Sequence, residues 1–215
     1  MTNTRSSKTQ PYHHGDLRRA LVHAALAIVT DEQDWTFSLR EAARRAGVSH
    51  TAPYNHFVDR SDLLSAVAAL GFERLREGMR AAINGAEDAV TELMASGRAY
   101  VRLGMKNPAL YRLMFGPALA SPETGERPTL ARSAGAEARE VLKGIILRGA
   151  QSGAFAVAAN DKRDLLAATL SAWSMVHGLT LLIIDTLQGE KLPMRGMIER
   201  VLEIHIEGLR PRAKG

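Results

Sequence analysis

The sequence contains no cysteine. That absence excludes a disulfide framework, a thiolate zinc site and a cysteine nucleophile. Aromatic residues make up only 5% of the chain, so a core has to come mainly from Ala, Leu, Ile, Val and Met. A glycine-rich phosphate loop, a His-Glu-x-x-His pair and a Gly-x-Ser-x-Gly elbow are all missing. His13 and His14 are adjacent, but two neighbouring imidazoles at a chain end hold a metal only adventitiously. No enzyme, no metal site and no cofactor is therefore expected. Met1 to His14 is polar, and no apolar core of about 7–15 residues follows it, so a signal peptide is not expected either.

What is present is an ordinary globular composition. The 215 residues are 46% apolar and 24% charged, which suits a folded chain with a sizeable core. The net charge is +5 and the isoelectric point near 9.8, mildly basic and compatible with a nucleic-acid partner. The charge is not concentrated at one end. Residues 1–62 hold eight Lys and Arg against seven Asp and Glu, while five of the seven histidines fall there. One stretch, Leu165 to Ile184, runs 20 residues without a charge, long enough to span a bilayer. It contains Thr169, Ser171, Ser174, His177, Gly178 and Thr180, and Asp164 and Asp185 bracket it without an aromatic belt or basic cluster. The expectation is a helix buried on most sides in a protein with no membrane partner.

Helical periodicity runs through nearly the whole chain, and no strand alternation competes with it. Residues 1–14 read as a flexible basic arm carrying Arg5 and Lys8. A first helix starts at Gly15, with Leu17, Leu21, Ala24 and Ile28 on one stripe, and ends at Asp31 to Asp34. Ser38 is placed to cap a short helix over 39–46, with Glu41 completing a capping box. Gly47 is a helix stop. Ser49 is read as the cap of a second short helix over 50–56, and Ser61 as the cap of a long one. Further helices are expected over 87–104, 108–115, 123–151, 161–187 and 194–208.

The first two short helices have the layout of a helix-turn-helix. Leu39, Ala42, Ala43 and Ala46 share an apolar face, Val48 plugs the turn, and Phe57 returns to the core. His50, Thr51, Tyr54, Asn55 and His56 remain outward. Short polar side chains on one exposed helix face are what a major-groove reader needs, and Arg60 follows where a cation can meet a phosphate.

Residues 12 to about 75, YHHGDLRRALVHAALAIV and then FSLREAARRAGVSHTAPYNHFVDRSDLL, resemble the DNA-binding domain of the TetR family of bacterial transcriptional regulators. The stretch AWSMVHGLTLL resembles the Trp-x-x-x-His-Gly segment of one subgroup of that family. Pro53 departs from the pattern, since many members have Leu or Ile there. The resemblance implies an all-α fold: a three-helix helix-turn-helix head over 15–60, a connecting helix to about residue 80, and a larger helical domain over 81–215 for effector binding and dimerisation. It implies a cytoplasmic homodimer, double-stranded operator DNA and a small-molecule effector, with repression the usual sign. By the resemblance, Ser49, His50, Thr51 and Tyr54 match positions that face DNA; we assign His50 and Thr51 to base edges, with Asn55 on the same face, while for Ser38 and Ser49 plain capping is the alternative. Tyr54, His56, Thr36 and Ser38 would meet phosphates, with Arg60 as a clamp.

For the effector pocket the candidates are Tyr100, Met105, Tyr111, Met114, Phe115, Trp173 and His177. Trp173 and His177 stand four apart on one face; the plain alternative for each residue of the group is core packing. Few charges among them points to an apolar effector. Leu181, Ile184, Met197, Val201 and Ile204 are the candidates for a two-fold helical interface. Two other readings share the fold: a helical interaction module that does not bind specific DNA, and a regulator that needs a corepressor.

Overall fold

The computed structural model of the chain describes residues 14–33, 35–120, 125–126, 128–187, 190 and 193–211. The arm, including Arg5 and Lys8, lies outside them but for its last residue, His14. Every regular element among the described residues is helical. The chain divides into two compact units, Met1–Val67 and Ala68–Gly215.

In the first unit α1, His14–Ala27, continues through a wider π-helical turn, Ile28–Glu32, and stops at Gln33, which adopts the left-handed region at φ 53°. Leu21, Ala25 and Ile28 are fully buried, as their spacing requires. The second helix, α2, is Leu39–Ala46. The Ser38 hydroxyl accepts the Glu41 N–H at 3.2 Å, satisfying one of the free amides of the first turn. Glu41 does not complete the capping box: its carboxylate turns to Arg44, whose Nε donates at 3.1 Å. Gly47 ends α2 at φ 70°, its N–H directed to the carbonyls of Ala43 and Arg44. That conformation has little cost without a Cβ.

The helix expected over 50–56 is shorter and tighter. Only Ala52–Asn55 forms a regular turn, and it is 3₁₀. Pro53 has no N–H, so residue 53 cannot bond back to residue 49 and an α-helical start is lost. The turn closes instead through Tyr54 N–H to Thr51 O at 3.3 Å and His56 N–H to Pro53 O at 2.9 Å. Ser49 is not a cap: its hydroxyl lies 3.2 Å from that of Thr51. Nor does Ser61 cap the next helix. Helix α3, Arg60–Ile83, begins one residue earlier, and Asp59 accepts the Asp62 N–H at 2.8 Å. A carboxylate outside the first turn is the better acceptor for that amide and suits the helix dipole. Asp62 in turn accepts the Val58 N–H at 3.2 Å.

Five helices and the rest of α3 make the second unit. Helix α4 is Ala89–Lys106, α5 Pro108–Phe115, α6 Thr129–Gln151, α7 Lys162–Leu181 with a π-helical turn to Thr186, and α8 Met194–Leu209. Helix α6 starts behind Pro128, and the expected start at 123 lies outside the described residues; proline suits a helix start because it has no amide to leave unpaired. Helix α4 packs against α6, α7 and α8. Leu93, Leu142, Ile145, Ile146, Phe155 and Ile206 form the centre of this core. The segment Lys162–Thr186 is long and apolar enough to cross a membrane, but its row Ala168, Ala172, Val176 and Thr180 is buried in the unit. It is less enclosed than its composition suggests, since Leu166, Leu170 and Leu182 are exposed.

Helices α4 and α7 approach closely at Gly104. A methyl group there would run into the Thr180 methyl and the Tyr111 ring. Overpacking of this kind costs about 1–3 kcal/mol. Gly104→Ala is expected to lower the urea midpoint of the protein by that amount of stability. An unchanged midpoint would mean the two helices part without strain.

Candidate functional site

Two sites stand out, one in each unit. In the first, the turn after α2 presents Ser49, His50, Thr51, Tyr54 and Asn55 to solvent, with Tyr54 55% exposed. His56 is half-buried, and Thr36, Ser38 and Arg60 are exposed. The surface is held from below: Pro53 is buried, and Phe57 is 1% exposed with the Arg18 guanidinium 5.2 Å from its ring centre. Val58, which sequence reasoning passed over, is 88% exposed beside it.

The arginines near this surface are not equivalent. Arg45 bridges Asp31 and Glu32 at 2.7 and 2.6 Å, tying α2 to the end of the first helix. Arg44 is paired with Glu41 and holds that carboxyl below the usual carboxylate range, chiefly through their hydrogen bond. Among the described residues of this unit, Arg40 and Arg60 are exposed and meet no carboxylate. Asp31 and Glu32 thus neutralise part of the basic charge counted in the sequence.

The second site is a cavity of about 120 Å³ in the helical unit. Phe72, Leu75 and Met79 of α3 line it, with Tyr100 of α4, Phe115 of α5, Trp173 of α7 and the α6 row Ala131, Arg132, Gly135, Ala138, Arg139 and Leu142. Of the sequence candidates, Tyr100, Phe115 and Trp173 are on its wall. Met105 is not: it is 41% exposed on a separate outer groove with Arg98 and Arg102. Tyr111 and Met114 are fully buried, because α5 turns them into the core. The α3 and α6 lining was missed. Its signal was the small residues Ala131, Gly135 and Ala138 at helical spacing, which leave room beside the larger rings.

Behind the wall lies a hydrogen-bonded cluster. The Trp173 indole N–H donates to the Tyr100 hydroxyl at 3.2 Å, and the Tyr111 hydroxyl donates to the same oxygen at 3.1 Å. His177 Nδ1 is 2.6 Å from the Tyr111 hydroxyl and 3.2 Å from that of Tyr100. Burial pushes the Tyr100 phenol up to about 12 and raises Tyr111 further, so both stay neutral. His177 therefore stands behind the wall and orients the hydroxyls. Tyr111→Phe keeps the ring and removes the oxygen nearest His177. It is expected to cost about 1–3 kcal/mol, the usual effect of stranding a buried polar group, in thermal or urea unfolding. A neutral result would mean that water replaces the hydroxyl.

Of the interface candidates, Ile204 is 53% exposed, and Leu181, Met197 and Val201 are half-buried. Ile184 is 3% exposed: it is inside its own subunit, where its carbonyl accepts Arg112 Nη2 at 2.8 Å, and cannot be part of an outer surface. Leu166 and Leu170 of α7 are among the exposed apolar residues that the sequence reading did not name.

A helix-turn-helix unit joined to a larger helical unit with a cavity is the fold of one-component transcriptional regulators. Residues 93–208 match the family model of the tetracyclin repressor-like C-terminal domain. The chain belongs to the TetR family. A protein of unknown function from Rhodococcus sp. RHA1 is 29% identical over 94% of this chain and all of its own, with a TM-score of 0.79. A TetR-family regulatory protein from Rhodococcus RHA1 is 21% identical over 97% of this chain and all of its own, TM-score 0.66. A TetR/AcrR-family regulator from Thermobifida fusca has a TM-score of 0.63 at 19% identity, over 91% of this chain and all of its own. No curated protein matches the sequence.

Proposed function

We propose that the protein is a sequence-specific DNA-binding transcriptional regulator, a homodimer released from a palindromic operator by a small effector. The observation that carries this reading is the row Ser49, His50, Thr51, Tyr54 and Asn55: polar, exposed and carried by a turn that buried Pro53 anchors, in a chain of this family. Regulators of the TetR family are cytoplasmic, bind operator DNA as dimers and answer to small molecules. The Trp173, His177 and Gly178 spacing supports a place in the Trp-x-x-x-His-Gly subgroup.

In this mechanism His50 and Thr51 meet base edges, with Ser49 and Asn55 beside them. Tyr54, His56, Thr36 and Ser38 meet phosphates, and Arg60 neutralises one. The short 3₁₀ turn supports a reading surface of only a few base pairs per head, so specificity depends on two heads. They have to sit about 34–36 Å apart to enter successive major grooves. Leu181, Met197, Val201 and Ile204, with Leu166 and Leu170, are the residues assigned to the dimer surface. The aromatic cavity lined by Tyr100, Phe115 and Trp173 is the assigned effector site. An effector that binds better to a dimer of another head spacing shifts the population away from DNA. By linkage, operator DNA then weakens effector binding by the same factor.

Two expected outcomes test the DNA side. Selection from a random duplex pool should enrich a palindrome with the wild type and not with Tyr54→Ala. No enrichment by the wild type would favour a corepressor-dependent regulator or an interaction module. On the enriched site, Thr51→Ala should relax base preference by about 1–3 kcal/mol at one position, while Arg60→Ala weakens all sequences alike and lowers the salt slope by about one. Equal, sequence-independent losses in both variants would remove Thr51 from base reading.

A further inference from the structure

We infer that the cavity takes a small organic acid: an apolar body about one ring in size, with its carboxylate held at the rim by Arg132 and Arg139. The inference rests on reading the cavity as the effector site and names the class of ligand.

Size comes first. A cavity of about 120 Å³ is close to the roughly 150 Å³ engineered cavity that admits benzene, so it suits a single ring or a short chain and not a polycyclic body. The wall is ready for such a group: Phe72 and Phe115 meet edge to face at 5.2 Å between centres, and Tyr100 and Trp173 add further rings to the lining.

The polar groups decide the rest. Trp173 N–H donates to Tyr100, and the Tyr100 hydroxyl also accepts from Tyr111 and lies next to His177. The wall's own polar atoms are thus engaged with one another, and a ligand's polar end has to find a partner elsewhere. Arg132 and Arg139 are the lining residues that offer one. They are seven apart on α6, two turns along one face, and both are exposed. The acids beside them on the same helix are occupied: Glu137 pairs with Arg76, and Glu140 with Lys143 at 3.0 Å. Among the described residues neither Arg132 nor Arg139 meets a carboxylate. The Arg139 guanidinium rests instead over the Trp173 ring at 5.2 Å, a cation–π contact of modest strength at an exposed site. Two guanidinium groups without an acid, at the mouth of an apolar slot, are complementary to an organic anion, since arginine binds carboxylate through paired N–H donors.

The contact between Arg139 and Trp173 also supplies the readout. The chain has two tryptophans, Trp35 and Trp173, so Trp35→Phe leaves Trp173 as the only indole. In that background, benzoate and 3-phenylpropionate would be titrated beside benzamide and 3-phenylpropionamide at equal ionic strength, following Trp173 emission and, separately, melting temperature. At least one acid is expected to bind about tenfold or more tighter than its amide. Arg132→Gln with Arg139→Gln should bring the acid down to the amide's affinity, Arg139→Lys should retain part of the difference, and Ala138→Leu should abolish binding of acid and amide alike. Acid and amide binding equally, or an acid preference that survives the double glutamine variant, overturns the carboxylate assignment and leaves a neutral apolar effector in the same cavity. No response to either acid or amide overturns the assignment together with the cavity as an effector site. Operator selection is scored independently of both.

Discussion

The helical unit turns on one buried contact: the oxygen of Tyr100, where Trp173 and Tyr111 both donate and His177 lies alongside. Those four side chains come from α4, α5 and α7. Each hydroxyl or imidazole withdrawn from water needs a partner inside, and leaving one stranded costs about 1–3 kcal/mol. The three helices are therefore held in one register. Close approach reinforces this, because Gly104 lets the Thr180 methyl and the Tyr111 ring sit against the backbone of α4. With the register set, Tyr100 and Trp173 line the cavity, and small residues on α6 leave room beside them.

The same economy governs the head. Arg45 joins α2 to Asp31 and Glu32, and buried Pro53 and Phe57 seat the turn that follows α2. What remains outside is a set of short polar groups with no core role. Only the structure separates Arg44 and Arg45, which pair with acids, from Arg40 and Arg60, which meet no carboxylate among the described residues. Helix α3 contributes Arg60 at its first residue and Phe72, Leu75 and Met79 further along, so one continuous helix supplies residues to both candidate sites.

Much of the architecture was legible because helices announce themselves locally. The bounds of α2, its Ser38 cap and the Gly47 stop depend on residues within one turn of each other. The limits of α5 follow from Pro108 and Gly116 for the same reason. Misreadings occurred where neighbouring groups compete. Asp59 displaced Ser61 as a cap, Arg44 drew Glu41 away from the capping box, and the missing amide of Pro53 shortened the helix expected over 50–56. The expected DNA face rested on family resemblance and not on periodicity, since exposure alone does not distinguish a reader from a solvated turn.

By itself the sequence determined an all-helical chain, a helix-turn-helix near its start and the polar residues that turn exposes, since these depend on spacing over a few residues. Tertiary structure alone decided that Met105 is outside and Tyr111 and Ile184 inside, and that α3 and α6 complete the cavity. Only there do Arg132 and Arg139 become its charged rim. An amphipathic helix specifies how wide its buried stripe is, but not which helix covers each part of it. That choice is made when side chains far apart in sequence compete for the same space.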